Sequence, residues 1–95
     1  MHNYYEGVLQ IRNPNQELEN FLMNQLRKEK VAISKKITHK QGYDLFLTSQ
    51  RFTLALGRRL NKAFRGKLTV SRRIHTRKRI TSKDVYRVTV LFRNG

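Results

Sequence analysis

The chain has 95 residues, a formal net charge of +15 at pH 7 and no cysteine. This is the length of one domain, and the lack of cysteine excludes disulfides and cysteine-based zinc sites within it. No stretch approaches the roughly 18 apolar residues of a membrane span, and the N-terminus lacks the apolar run of a signal peptide. We therefore expect a soluble, cytoplasmic protein with a single basic domain over residues 1–95.

The positive charge is concentrated in the second half of the chain. Residues 51–95 contain 14 Lys and Arg and a single acid, Asp84, whereas residues 1–50 contain seven basic residues and five acids. A folded domain gains nothing from such an imbalance, because like charges repel one another in the compact state. The charge therefore predicts a polyanionic partner, and nucleic acid is the commonest one.

The first half begins with a predicted strand and a predicted helix. Leu9 and Ile11 alternate with polar residues, which is the period-two pattern of a strand. Asn13 suits a helix N-cap and Pro14 suits the first helical position. Apolar residues then recur at helical spacing, so we predict a helix from about Pro14 to Glu29.

The middle of the chain predicts a hairpin and a second helix. Two alternating segments, 33–38 and 43–48, flank a short polar stretch that contains Gly42 and is typical of a turn. A helix is predicted over about 50–65, with Gly66 ending it in the left-handed conformation.

The last part of the chain predicts a second hairpin around a mobile basic loop at about 75–84. Apolar residues of one parity precede and follow this loop, ending in the regular series from Tyr86 to Phe92. The predicted order, β-α-β-β-α-β-β, begins with the six elements of a ferredoxin-like split βαβ arrangement. We therefore predict an α+β two-layer sandwich. Its ferredoxin-like antiparallel sheet carries both helices on one face, and the final strand extends the sheet.

The second helix carries a basic stripe that no acid within the helix offsets. Successive spacings of seven, four and three residues place four of its cations on one side, and a fifth lies beside them. A solvated stripe without a ligand is the competing interpretation, but the missing acids favour contact with phosphate. The candidate nucleic-acid-binding residues here are Arg51, Arg58, Arg59, Lys62 and Arg65.

The basic loop and its flanks supply the second candidate group. A flexible basic hairpin can fold onto a phosphate backbone. Guanidinium groups bind phosphate bidentately and stack on unpaired bases, which favours RNA. The competing interpretation is a loop that binds nothing. The candidate residues are Arg72, Arg73, Arg77, Lys78, Arg79 and Lys83.

Other kinds of site have little support in the sequence. Catalytic and nucleotide-binding motifs are absent, and His2, His39 and His75 are too dispersed to indicate a metal site. We therefore predict no enzyme activity, metal, cofactor or small-molecule substrate. The tyrosines could stack on bases as on RRM-type sheets, but core packing is favoured for most of them, and Tyr4 is the freest.

Three segments resemble one known family in the same order along the chain. Residues 4–12 (YYEGVLQIR) are similar to the segment that follows the zinc-binding region of the nonsense-mediated-decay protein 3 family. Residues 42–49 (GYDLFLTS) resemble its Gly-x-Asp-apolar-aromatic-x-Ser-Ser stretch at a helix entry. Residues 71–74 (SRRI) with 85–90 (VYRVTV) resemble its basic hairpin.

The resemblance implies association with the large ribosomal subunit, in its biogenesis or quality control. Because the family's zinc-binding region and export signal are missing here, it implies an archaeal-type member or a fragment. Together with the charge, it leads us to expect a non-catalytic RNA-binding domain whose partner is ribosomal RNA, with ribosomal proteins as further possible partners.

Two other classes of function stay open on the sequence alone. One is a protein-interaction module that docks an acidic ribosomal protein or factor, and the other is a non-specific DNA-binding protein. A membrane partner is not expected, because neither predicted helix combines a large apolar face with aromatic anchors.

Overall fold

The predicted order of elements is confirmed in a computed structural model. It describes the backbone of residues 4–78 and 83–95 and the side chains of residues 4–73 and 87–95. Within that part of the chain, the elements are β1 Gly7–Arg12, α1 Gln16–Glu29, β2 Ile33–His39, β3 Gly42–Leu47, α2 Gln50–Ala63, β4 Gly66–Lys78 and β5 Lys83–Asn94.

The strands form one mixed sheet in the order β2-β3-β1-β5-β4. The predicted α+β class is confirmed, but the predicted ferredoxin-like, fully antiparallel order is wrong. The last strand does not extend the sheet at its edge, because β5 lies between β1 and β4 and pairs with β1 in parallel.

Burial explains why β5 rather than β4 takes the inner position. Its inward residues Val88, Val90 and Phe92 are fully buried, which suits a strand with neighbours on both sides. On β4 the corresponding face carries the half-exposed Val70 and then Arg72, so this strand is suited to the edge. Charged side chains on an edge strand also discourage pairing with other chains.

Both helices cover the same face of the sheet. Leu18, Leu22 and Leu26 of α1 and Leu56 and Leu60 of α2 are buried in one cluster with the inward residues of the strands. As the alternation predicted, Leu9 and Ile11 of β1 belong to this cluster. Neither helix in the described part of the chain is long and apolar enough to cross a membrane.

The contact between α2 and the sheet depends on Gly57. A Cβ atom at this position would lie 2.5 Å from Cγ1 of Val90 on β5 and 3.3 Å from Cδ1 of Leu68 on β4. The absence of a side chain therefore lets the middle of the helix approach β5 closely. This approach fixes which face of α2 is turned away from the sheet.

The ends of the helices differ from the prediction in two places. The N-cap of α1 is Asn15, whose side chain accepts a hydrogen bond from the Leu18 amide at 2.8 Å, and not Asn13, which has a left-handed φ of 57°. Gly66 does not end α2 in a left-handed conformation, because the cap is the extended Phe64 and Gly66 begins β4. A Cβ at Gly66 would instead collide with the Arg93 carbonyl oxygen.

Strand pairing continues into the segment predicted as a basic loop. Thr76 pairs with Val85, Arg77 with Asp84 and Lys78 with Lys83, after an irregularity between Ile74 and Thr76. Much of the segment 75–84 is therefore strand. Its mobility stays a prediction.

Candidate nucleic-acid interface

Helix α2 is fixed at its start by side chains from outside the helix. Ser49 Oγ accepts a hydrogen bond from the Phe52 amide at 3.1 Å, and Glu6 on the segment leading into β1 accepts one from the Gln50 amide at 3.1 Å. The first turn of α2 contains no acid of its own. The Glu6 carboxylate supplies the negative charge that the positive end of the helix dipole favours, so the orientation of α2 on the sheet is well defined.

The predicted basic stripe on α2 is largely exposed. Arg51, Arg58 and Lys62 are exposed on the helix, and Arg65 is exposed just after its last turn. Arg51 and Arg58 line a surface depression of about 400 Å³ together with Gln50 and Leu54. Two guanidinium groups at one depression, on a helix without acids, form a surface suited to an anion.

Arg59 differs from the other cations of α2. It donates a hydrogen bond to the Gln25 side chain at 2.6 Å and lies 3.9 Å from the Glu29 carboxylate, both on α1. Its guanidinium also lies 6.0 Å from the ring centre of Phe52. Arg59 therefore joins the two helices, and part of its charge is offset by Glu29.

The two arginines at the centre of β4 lie on opposite faces of the sheet. Arg72 pairs with Val88, whose side chain is inward, so Arg72 is on the face that carries the helices. Arg73 pairs with Arg87 and is on the other face. Both are exposed. The described part of the predicted hairpin group is thus divided: Arg72 lies on the same side of the sheet as the cations of α2, and Arg73 does not.

The remaining candidates lie further along the hairpin. Arg77, Lys78 and Lys83 are in paired segments of β4 and β5, where the structure describes the backbone alone. Arg79 lies outside the described residues.

Apart from Arg73, sequence reasoning missed the basic residues on the sheet face that has no helices. Arg87 and Arg93 on β5 alternate with the buried Val88, Val90 and Phe92, so they point away from the core. The same alternation that identified β5 as a strand already placed these arginines on the opposite face. Lys35 on β2 and Arg12 on β1 share that face by register.

The aromatic residues behave mostly as expected. Tyr43 is buried, and burial raises the pKa of its hydroxyl to about 12. Tyr4 is 52% exposed, in agreement with its predicted freedom. Its hydroxyl donates to Glu6, and this hydrogen bond raises the pKa of Tyr4. Tyr5 differs from both, because its ring lies against Phe46 and Arg87 rather than in the core.

These features define a basic α+β domain with cations on both faces of its sheet. The family model described as NMD3, second domain, matches residues 4–93. The chain therefore belongs to the NMD3 family, which confirms the resemblance drawn from its sequence. This family is associated with the large ribosomal subunit and its biogenesis. A comparison with curated proteins found no match.

Proposed function

We propose that this domain is a non-catalytic RNA-binding domain that docks on ribosomal RNA of the large subunit during its biogenesis or quality control. The observation that carries the proposal is the exposed basic surface of α2, a helix with no acid of its own, together with Arg72 on the same side of the sheet. We call this set the α2 surface, and its members are Arg51, Arg58, Lys62, Arg65 and Arg72.

In the described part of the chain, no ion pair offsets the cations of the α2 surface. Arg59 is set apart from it because Arg59 bonds to Gln25 and lies near Glu29. Arg51 and Arg58 instead border an open depression. Their guanidinium groups can bind phosphate oxygens bidentately, and such contacts position a protein on a nucleic acid without reading its sequence.

The hairpin extends the basic region beyond the α2 surface. Arg77, Lys78, Arg79 and Lys83 follow Arg72 and Arg73 along the chain. A two-stranded ribbon of this length is suited to reaching along a phosphate backbone. We propose that it adds further phosphate contacts and that RNA shape, rather than base sequence, selects the docking position.

The proposal is tested by binding of the chain to large-subunit ribosomal RNA, with duplex DNA as competitor at equal phosphate concentration. Arg51→Glu/Arg58→Glu should weaken RNA binding at least about tenfold, because it replaces two phosphate contacts with repulsion. The matched control is Arg27→Glu/Lys40→Glu, which makes the same charge change at exposed positions outside the α2 surface.

The outcomes separate the proposal from the other classes of function. RNA should be retained against DNA, and the control variant should lose much less affinity than Arg51→Glu/Arg58→Glu. Equal displacement by duplex DNA would instead support a non-specific DNA-binding protein. Unchanged RNA binding by Arg51→Glu/Arg58→Glu, with loss of binding to an acidic ribosomal protein, would support a protein-interaction module.

A further inference from the structure

The face of the sheet without helices carries an aromatic cluster beside a row of cations. By strand register, Phe46 on β3 lies opposite Val8 on β1, and both point away from the helices. Tyr5, just before β1, places its ring 4.8 Å from that of Phe46, with the two rings at 89° to each other. Both aromatic residues are partly exposed.

Each ring of this pair has a cation beside it: Arg87 lies against Tyr5, and Lys35 lies near Phe46. The Arg87 guanidinium lies 3.8 Å from the ring centre of Tyr5, and Arg87 Nε donates to the Tyr5 carbonyl oxygen at 3.1 Å. The Lys35 ammonium lies 5.5 Å from the ring centre of Phe46. Because its Nε bond fixes the guanidinium against the ring, Arg87 offers a flat surface together with its terminal N–H donors.

The charge of this face favours an anionic ligand. Among the residues whose side chains are described, the register places Arg12, Arg73, Arg93 and Lys67 here in addition to Lys35 and Arg87. Among these described residues, the acid that the register places on this face is Asp44, which lies 3.0 Å from Arg12 and 2.9 Å from His39. The Asp44 charge is thus met locally. Glu6, next to Tyr5, accepts hydrogen bonds from the Tyr4 hydroxyl and the Gln50 amide, and the cations on this face outnumber these two acids.

We propose that this face binds unpaired RNA nucleotides, with a base stacked on the Arg87–Tyr5–Phe46 cluster and neighbouring phosphates held by the surrounding cations. Unpaired bases stack on aromatic rings and on guanidinium planes, and this stacking tolerates any base. A duplex cannot use the cluster, because its bases are already stacked on one another. An apolar protein partner would not match a face whose aromatic pair is flanked by cations.

This inference and the proposed function both concern RNA. They concern different surfaces, because the aromatic cluster and the α2 surface lie on opposite faces of the sheet. The α2 surface has no aromatic cluster among its members and is suited to phosphate alone. Arg72 and Arg73, side by side on the edge strand β4, lie on the two faces. One RNA with a duplex and an adjoining single strand could therefore contact both surfaces around this edge.

The test is binding of the whole chain to a short oligouridine strand with a central 2-aminopurine, whose emission falls when it stacks. Arg87→Lys keeps the charge but removes the planar group, and should weaken binding about fivefold to tenfold. The matched control is Arg93→Lys, on the same strand and the same face. It should change the affinity less than twofold, because Arg93 lies outside the Tyr5–Phe46 cluster.

A second variant tests the ring itself. Tyr5→Ala should weaken binding about tenfold and abolish the fall in 2-aminopurine emission at saturating protein, whereas Tyr5→Phe should preserve both. The inference is overturned if Arg87→Lys and Arg93→Lys have equal effects. It is also overturned if the emission falls as much with Tyr5→Ala as with the unchanged chain.

The two proposals fail in different experiments. If Arg51→Glu/Arg58→Glu lowers ribosomal RNA binding while Arg87→Lys and Tyr5→Ala leave the oligouridine results unchanged, the open-face inference alone is wrong. If the α2 variant has no effect on ribosomal RNA while Arg87→Lys and Tyr5→Ala act as described, the function proposed for the α2 surface is wrong and the inference stands.

Discussion

At the scale of single residues, a few polar side chains determine where the helices begin and how their charges are used. Asn15 caps α1 and Ser49 caps α2. Glu6 reaches the amide of Gln50 from the segment before β1 and so adds a carboxylate to a helix whose first turn has none. Because these residues hold the helix starts, the basic residues further along α2 are presented in one orientation.

The two asparagines before α1 should respond differently to substitution. Asn15→Ala removes the side-chain acceptor for the Leu18 amide, so we expect a loss of about 1 kcal/mol in the free energy of unfolding. Asn13→Gly, at a left-handed φ of 57°, should cost nothing or slightly stabilise the fold. Urea denaturation of both variants checks this, and an equal loss from both would contradict the assignment of Asn15 as the cap.

At the scale of elements, the position of the basic residues of α2 depends on how closely the helix packs against β5. The side of α2 that contains Gly57 is turned toward Val90, which leaves Arg51 and Arg58 on the outside. A change that lifts α2 from the sheet should therefore disturb both stability and the presentation of the basic residues.

Gly57→Ala should destabilise the protein even though alanine favours helices by about 1 kcal/mol relative to glycine. The added Cβ would meet Val90 Cγ1 at 2.5 Å, and overpacking of this kind costs about 1–3 kcal/mol. In a double-mutant cycle, Val90→Ala should cost less in the Gly57→Ala background than alone. Additive effects would mean that the two residues do not meet as described.

Sequence patterns predicted the elements but not their neighbours. Period two tells which residues of a strand share a face, and it placed Val88, Val90 and Phe92 inward correctly. It contains no information about which strand lies beside β5. The position of β5 between β1 and β4 follows from tertiary packing, since the strand with fully buried inward residues takes the inner place.

Part of the candidate site could also be predicted from the sequence, and part of it could not. The exposure of Arg51 and Arg58 follows from helical spacing alone. The bond from Arg59 to Gln25 joins two helices, so no pattern within α2 could reveal it. The separation of Arg72 from Arg73 could have been read from the sequence, because adjacent residues in a strand point to opposite faces.

At the scale of the whole molecule, the cations whose side chains the structure describes lie on both faces of a five-stranded sheet. The helix-covered side offers the exposed cations of the α2 surface, and the other face combines cations with Tyr5 and Phe46. Taken together, the two proposals predict an RNA ligand that presents duplex and unpaired segments side by side. The edge strand β4 lies between the two surfaces, with Arg72 on one face of the sheet and Arg73 on the other.

The measurement that most directly tests the central claim is the salt dependence of binding to large-subunit ribosomal RNA, for the unchanged chain and for Arg51→Ala/Arg58→Ala. Over about 50–300 mM salt, each lost phosphate contact should reduce the slope of log K against log salt by about 0.7–0.9. The account predicts a reduction of about 1.4–1.8 for this variant, which loses two contacts, and no comparable change for Arg27→Ala/Lys40→Ala. An equal slope for both variants would contradict it, because the α2 surface would then make no phosphate contacts of its own.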